Sequence, residues 1–390
     1  MTERPIVRGL AAGGAVVLGL LGVALLVPAH DALVPRAGLL GPLTPLIVPV
    51  YGPALVAVGL AATAGASVLA WRCRGVQRLA GAAAVVCVVA TAALAVPVGA
   101  VVTATVAAGG SVDPVRALLM PSPAPAGPDE SPVYSTGPDA LPLHLAIYRP
   151  APATRAPRPI LIYVHGGGWV SGSELVRATE MRRWADAGWL VVSVEYTLAR
   201  DGAPTWDVAG PEVACAAARV AADAPAQGAD PTRIVLLGDS AGGQLAVSVG
   251  YHAASGTQPS WCGGAVPTPR AVAVEYPAVD LADGYAGGSR STYTGGSPDQ
   301  VPERYRAVSG AAAVTAGAPP TLVIVPARDG TVPPGGPARF VHAARDVSVD
   351  ARLVSIPYAD HAFDQVDGSL GEQAAFSIVR RWADDQVGQR

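Results

Sequence analysis

Three stretches within the first 112 residues carry no charged side chain: Gly9–His30, Ala37–Trp71 and Leu79–Val112. Each holds an apolar run of about 18 residues or more, long enough to cross a hydrocarbon core of roughly 30 Å as a helix. In lipid a backbone has no water to bond to, so a helix that satisfies its own N–H and C=O groups is the form such runs can take. We therefore read residues 1–108 as a membrane module with three transmembrane helices, near Gly9–Ala29, Val50–Trp71 and Leu79–Val101. Pro45, Pro49 and Pro53 set back the start of the second. A cleaved signal peptide is the competing reading of the first run. That run exceeds the usual apolar length of about 7–15 residues, and Pro28-Ala29-His30 makes a poor cleavage site, so an uncleaved anchor is expected.

The charges support this division. Only 15% of the 390 residues are charged, against about 25% in a typical globular chain, and the shortfall is local. Residues 1–112 hold six arginines against two acids, a net of +4, while the remainder is net −7, giving −3 overall. Arg4 and Arg8 precede the first run, and Arg72, Arg74 and Arg78 fill the loop between the second and third. The loop between the first two has only Arg36, offset by Asp31. By the positive-inside rule the chain is a multi-pass cell-membrane protein with a cytoplasmic N-terminus, and all that follows the third span is extracytoplasmic. A transporter would need polar or charged groups inside the spans, and none is seen. All 27 basic residues are arginine. Without lysine there is no Schiff base, Ser–Lys dyad or Walker-type phosphate lysine. The slightly acidic balance also argues against a nucleic-acid partner.

Residues 109–132 read as a linker, with Gly109-Gly110-Ser111 and Pro121-Ser122-Pro123-Ala124-Pro125 favouring extended backbone. Over 133–390 short β-rich runs alternate with amphipathic segments. Strands are expected at Leu143–Tyr148, Ile160–Val164, Leu190–Glu195, Ile234–Leu237, Ala271–Tyr276, Thr321–Val325 and Ala351–Ile356. Helices are expected at Leu175–Ala187, Ala209–Ala224, Gly242–Ser255, Pro337–Ala344 and Gly371–Asp385. Continuous apolar strands alternating with helices imply an α/β domain, its mostly parallel central sheet covered by helices on both faces.

Candidate chemistry sits at the strand ends. Ile234–Leu237 runs into Gly238-Asp239-Ser240-Ala241-Gly242-Gly243 and then an apolar helix. This is G-x-S-x-G in its strand–turn–helix setting, which marks Ser240 as a nucleophile. The strand Ile160–Val164 ends in His165-Gly166-Gly167-Gly168-Trp169, whose glycines let backbone N–H groups approach a substrate oxygen. Gly167, Gly168 and Ala241 are the expected oxyanion donors. An acid and a histidine should follow after later strands, and Asp329 and His361 fit that order. His361 would act as general base, with Asp329 fixing its tautomer. Asp360 and Asp364 are too close in sequence to His361 to orient it easily, and Asp239 adjoins the serine and should point elsewhere.

Together His165–Trp169, Gly238–Gly243, Asp329-Gly330-Thr331-Val332-Pro333 and His361-Ala362-Phe363 resemble the α/β-hydrolase fold. More narrowly they resemble the hormone-sensitive-lipase-like and feruloyl-esterase-like (BD-FAE-like) carboxylesterases. Thr294-Gly295-Gly296-Ser297-Pro298, Tyr305 and Pro319-Pro320 are similar to the second group. The resemblance covers roughly 140–385 and implies hydrolysis of a small-molecule ester, lipid or envelope-derived, through an acyl-enzyme without cofactor. The same triad would serve an envelope acyltransferase, and a silent hydrolase-like binding domain is the reading from another class. Ala327 and Tyr358 stand where relatives often have glycine. Glu195–Arg200 also lacks the arginine and glutamate of the relatives' Tyr-Arg-Leu-Ala-Pro-Glu-like run. Trp169, with His165 beside it, either walls the substrate pocket or packs in the core. Residues 277–318 form a long Gly/Ser/Pro-rich connection suited to a lid or substrate rim.

Four cysteines complete the reading. Cys73 and Cys87 belong to the membrane module, whereas Cys215 and Cys262 lie outside, where a bridge between them would persist. No metal-ligand spacing is present.

Overall fold

The apolar runs wind into long helices: α1 (Pro5–Leu33), α2 (Gly52–Arg72) and α3 (Gln77–Ala107). The computed structural model describes residues 5–34, 39–121, 127–151, 156–282, 285 and 288–389. Arg4 and Arg36 and part of the Pro121–Pro125 run lie outside the described residues. α1 and α3 contain Pro28 and Pro97, which lie inside the expected spans, and continue to Leu33 and Ala107, past the expected ends at Ala29 and Val101. Before α2 the chain is already coiled, as a 3₁₀ turn (Gly41–Leu46) and a π turn (Ile47–Tyr51), and the regular α-helix begins only after Pro45 and Pro49. The expected extended linker also contains a short helix, α4 (Pro114–Leu119). Asp113 caps it by accepting from the Val115 and Arg116 amides at 2.9 and 3.1 Å.

Packing among the helices is inverted relative to a soluble bundle. The buried positions are small: Ala11, Ala15 and Gly22 on α1, Gly59, Ala62 and Ala66 on α2, Ala80, Ala83 and Ala90 on α3. A Cβ on Gly22 would stand 2.8 Å from Cys87 Sγ, and one on Gly59 would meet Thr91, so backbones approach closely there. Ile6, Leu10, Leu20, Leu60 and Val85 point outward, each more than half exposed. Three helices thus have the length and composition to cross a membrane.

By contact the chain divides into two units, residues 1–122 with 356–377, and 123–355 with 378–390. The second is an α/β unit. In chain order its elements are β1 (Val133–Thr136), β2 (Pro142–Tyr148), β3 (Arg158–Val164), α5 (Ala178–Asp186), β4 (Leu190–Val194), α6 (Ala209–Asp223), β5 (Ala229–Asp239), α7 (Ser240–Ala254) and β6 (Ala271–Glu275). There follow α8 (Ser289–Thr294), α9 (Pro302–Ala307), β7 (Thr321–Pro326), α10 (Gly335–Asp346), β8 (Ala351–Ile356) and α11 (Leu370–Val387), of which residues 370–377 fall in the first unit. The eight strands form one sheet in the order β1-β2-β4-β3-β5-β6-β7-β8. β1, β2 and β4 pair antiparallel in succession, while β4-β3-β5-β6-β7 pair parallel. Every residue of β4, β6 and β7 is buried, which is why these runs read as uninterrupted apolar sequence. The mostly parallel sheet is the one the alternation implied. The connection 277–318, apart from residues 283, 284, 286 and 287 outside the described set, contains α8 and α9. Helices of six residues have no sequence period to betray them, and buried Tyr293 and Tyr305 hold these two in place.

Cys215 of α6 and Cys262 are joined by a disulfide, their Cα atoms 5.4 Å apart and 47 residues apart in sequence. Alkylation without reductant is expected to leave both unmodified, and reduction under denaturing conditions to add two alkyl groups by intact mass. Replacing both with serine should cost about 2–4 kcal/mol in denaturant titration, from the closed loop's lost constraint on the unfolded chain.

Candidate active site

At the C-terminal end of β5 the chain turns abruptly into α7. Ser240, the first residue of that helix, has φ +51°, a left-handed conformation that costs a non-glycine residue about 1 kcal/mol or more. The flanking glycines make the turn possible. A Cβ on Gly242 would fall on the carbonyl oxygens of Val164 and His165, and one on Gly238 would fall on the Gly242 carbonyl. Ser240 therefore stands at the mouth of a helix N-terminus, where amide dipoles favour negative charge. Ala241, next along, is fully buried.

The close fit at Gly242 also brings the end of β3 beside this turn. Beyond Val164 the chain runs through Gly167 at φ +116°, Gly168 at +61° and Trp169 at +63°. A Cβ at Gly167 would land on the Ser171 carbonyl, and one at Gly168 would stand 2.7 Å from Ser289 Oγ. Asp239 ties the two loops together. Its carboxylate accepts from the Gly166 amide at 3.0 Å and from the Tyr163 hydroxyl at 2.6 Å, while burial and the Asp239 charge push the Tyr163 phenol well above its ordinary pKa. The sequence places Asp239 next to the serine but does not show this tie, because its partners lie more than 70 residues upstream.

His165 and Trp169 pack in the core. The His165 imidazole is fully buried, stacks on Tyr196 at 4.4 Å, and is held below its ordinary pKa by desolvation. Tyr196 donates to the His165 carbonyl at 2.9 Å. The Trp169 indole stacks on Tyr293 at 4.7 Å and donates to Gln244 Oε1 at 3.0 Å, and Gln244 donates in turn to the Val308 carbonyl. Gln244, Tyr293 and Val308 also line a cavity of about 390 Å³, together with Trp206, Asp207, Ser248 and His252. Where relatives carry arginine, Thr197 instead bonds through its amide and hydroxyl to the buried Glu212 carboxylate, both at 2.7 Å. Burial raises the Glu212 pKa against those bonds.

Asp329 follows β7 and is buried, and its Oδ1 accepts from the Thr331 and Val332 amides at 2.9 and 2.7 Å. These bonds fix the carboxylate's orientation. His361 follows β8 in the segment 356–377 of the first unit. Its amide donates to Asp360 Oδ1 at 2.7 Å, and the turn around it includes Tyr358 and Ala362, both at φ +58°. Tyr358 thus holds a left-handed conformation that glycine takes without strain, in keeping with the glycine the resemblance leads one to expect there.

Comparison with known proteins bears on this architecture. Residues 145–342, half of the chain, match the family model described as BD-FAE. Esterase LipC of Mycobacterium tuberculosis is 30% identical over 251 residues, covering 60% of this chain and 60% of its own. The match thus spans about three-fifths of that relative's length. Hormone-sensitive lipase of Bos taurus is 35% identical over 124 residues, 32% of this chain and 16% of the lipase. Among solved structures, Thermogutta terrifontis esterase 2 phosphoramylated by tabun superposes with a TM-score of 0.57 at 23% identity, covering 69% of this chain and 97% of its own. Its likeness is one of fold, and the three apolar helices fall outside the matched family model. With half of its length matched by that model, the chain belongs to the BD-FAE family, and its α/β unit shares the fold of a solved esterase.

Proposed function

We propose that the protein is a membrane-anchored serine hydrolase that cleaves small carboxylic esters, lipid or envelope-derived, on the outer side of the cell membrane. The observation that carries this reading is Ser240 held at φ +51° at the strand-to-helix turn, its flanking glycines having no room for a side chain. Ser240 Oγ attacks the ester carbonyl carbon while His361 takes its proton. The electron pair moves to the carbonyl oxygen, which the Gly167, Gly168 and Ala241 amides hold as an oxyanion. The bond to the alcohol then breaks, and His361 gives the proton to the departing oxygen. Water, deprotonated by His361, attacks the acyl-serine and releases the acid by the same steps in reverse. Asp329 keeps the imidazole in the tautomer that accepts from serine, and two backbone amides already fix that carboxylate. Anchoring by α1, α2 and α3 with the N-terminus inside follows from their apolar outward faces and from Arg8, Arg72, Arg74 and Arg78.

A membrane-impermeant fluorophosphonate applied to intact cells is expected to label the wild-type protein and not Ser240→Ala. Labelling that appears only after lysis would reverse the orientation, and none under either condition would remove Ser240 as nucleophile. Asp329→Asn should lower kcat/KM for p-nitrophenyl acetate about 10³–10⁴-fold while the protein still folds, because the asparagine favours the wrong imidazole tautomer. Asp239→Ala frees the Gly166 amide from its acceptor and loosens the glycine loop, and its kcat should fall about 10–100-fold. Ser240 should remain labelled in that variant, only more slowly.

A further inference from the structure

The segment that carries His361 belongs by contact to the same unit as the three apolar helices, and four contacts join it to the turn before α2 and to the chain that follows α3. At the first, Gly371 opens α11 with no space for a side chain. A Cβ there would strike the Phe363 carbonyl, two residues beyond His361, and would stand 2.9 Å from Pro49 Cβ in the turn leading into α2. At the second, Gly368 has φ +77° and packs on the end of α4, its notional Cβ 3.4 Å from Met120 Cα and 3.6 Å from Arg116 Nε. Arg116 also reaches the buried Glu372 carboxylate at 3.8 Å. The third is Gln373. Its Oε1 accepts from the Asp113 amide at 2.7 Å, and its Nε2 donates to the Asp113 carbonyl at 3.3 Å and to the Gly368 carbonyl at 2.9 Å. One buried amide thus spans the chain leaving α3 and the turn holding the histidine. Ser377 Oγ adds a bond from the Ser111 amide at 2.9 Å.

We propose that Gln373 is a positioning residue for the general base, and that the helical module acts through it, and through Pro49 against Gly371, to set the His361 turn. This rests on the reading of His361 as general base and extends it: the module becomes part of the scaffold of catalysis as well as an anchor. The physical requirement is strict. A base displaced by about 1 Å loses up to about 10²-fold in rate, and the turn 358–369 contains two non-glycine residues in left-handed backbone that only surrounding contacts can hold. In Gln373→Ala the Asp113 amide loses its acceptor, the Asp113 carbonyl keeps the Ala117 amide at 2.9 Å but loses the second donor, and the Gly368 carbonyl loses the Gln373 amide. Gln373→Glu keeps the acceptor and loses both donated bonds.

The test uses the full chain in detergent micelles or nanodiscs, with p-nitrophenyl acetate as substrate. Competent sites are counted by stoichiometric release of p-nitrophenol from an organophosphate, so unfolded molecules drop out of the result. Per competent site, Gln373→Ala is expected to lose about tenfold in kcat with KM within about twofold, and Gln373→Glu to fall between it and the wild type. Gly371→Ala, which drives a methyl against the Phe363 carbonyl and Pro49, should show the same split. Wild-type kcat per site in Gln373→Ala and Gly371→Ala would overturn the positioning role, as would a loss seen equally in KM. A parent protein with neither hydrolysis nor titration would instead remove the reading of the site on which the inference rests.

Discussion

Everything proposed for the chemistry hangs on a steric constraint at the end of β5. Ser240 holds a left-handed backbone because Gly238 and Gly242 let two segments approach to where no Cβ could stand. That approach draws the carbonyls of Val164 and His165 against the first turn of α7, so the glycine loop after β3 and the start of the helix are neighbours by packing. Asp239 then adds direction to proximity by accepting from Gly166 and Tyr163. The resulting strain is of the order of a kcal/mol or so, small beside the burial of the fully enclosed strands on either side, and rigid packing of that kind is what keeps it in place.

What could be read in the residues follows the range of the interactions concerned. The strand-to-helix turn was legible because its requirement is local: glycines two positions before and after a serine, after an apolar run and before an apolar helix. The central strands were legible because burial on both faces leaves an unbroken apolar signature. The ties that shape the candidate site were not. Asp239 reaches Gly166 and Tyr163, Gln244 reaches Trp169, and Glu212 reaches Thr197, and nothing along the chain announces such pairs. The helices α4, α8 and α9 are a turn or two long and exist through what they pack on, so periodicity could not reveal them.

The same contrast separates the chain's two kinds of core. In the α/β unit large side chains fill the interior, with Trp169, Trp184, Trp189 and Phe340 almost wholly enclosed. Among the three helices most buried positions are alanine or glycine, beside Leu25, Leu94 and Val101, while many leucines and valines face outward. One core is assembled by withdrawing large apolar side chains from water; the other, in the proposed membrane anchor, by close backbone contact between helices.

The inside-out packing of the helices has a thermal consequence. Unfolding a water-assembled core exposes apolar surface to solvent and carries a large positive heat capacity, which bends its stability curve toward both heat and cold. Helices that separate within lipid exchange one apolar neighbour for another and expose little to water, so their association carries almost none of that curvature. For helices anchored in a membrane as proposed, the heat-capacity change of this protein should therefore originate largely outside α1, α2 and α3. Cooling would weaken the sheet's core while leaving the contacts of Gly22 and Gly59 nearly as they were.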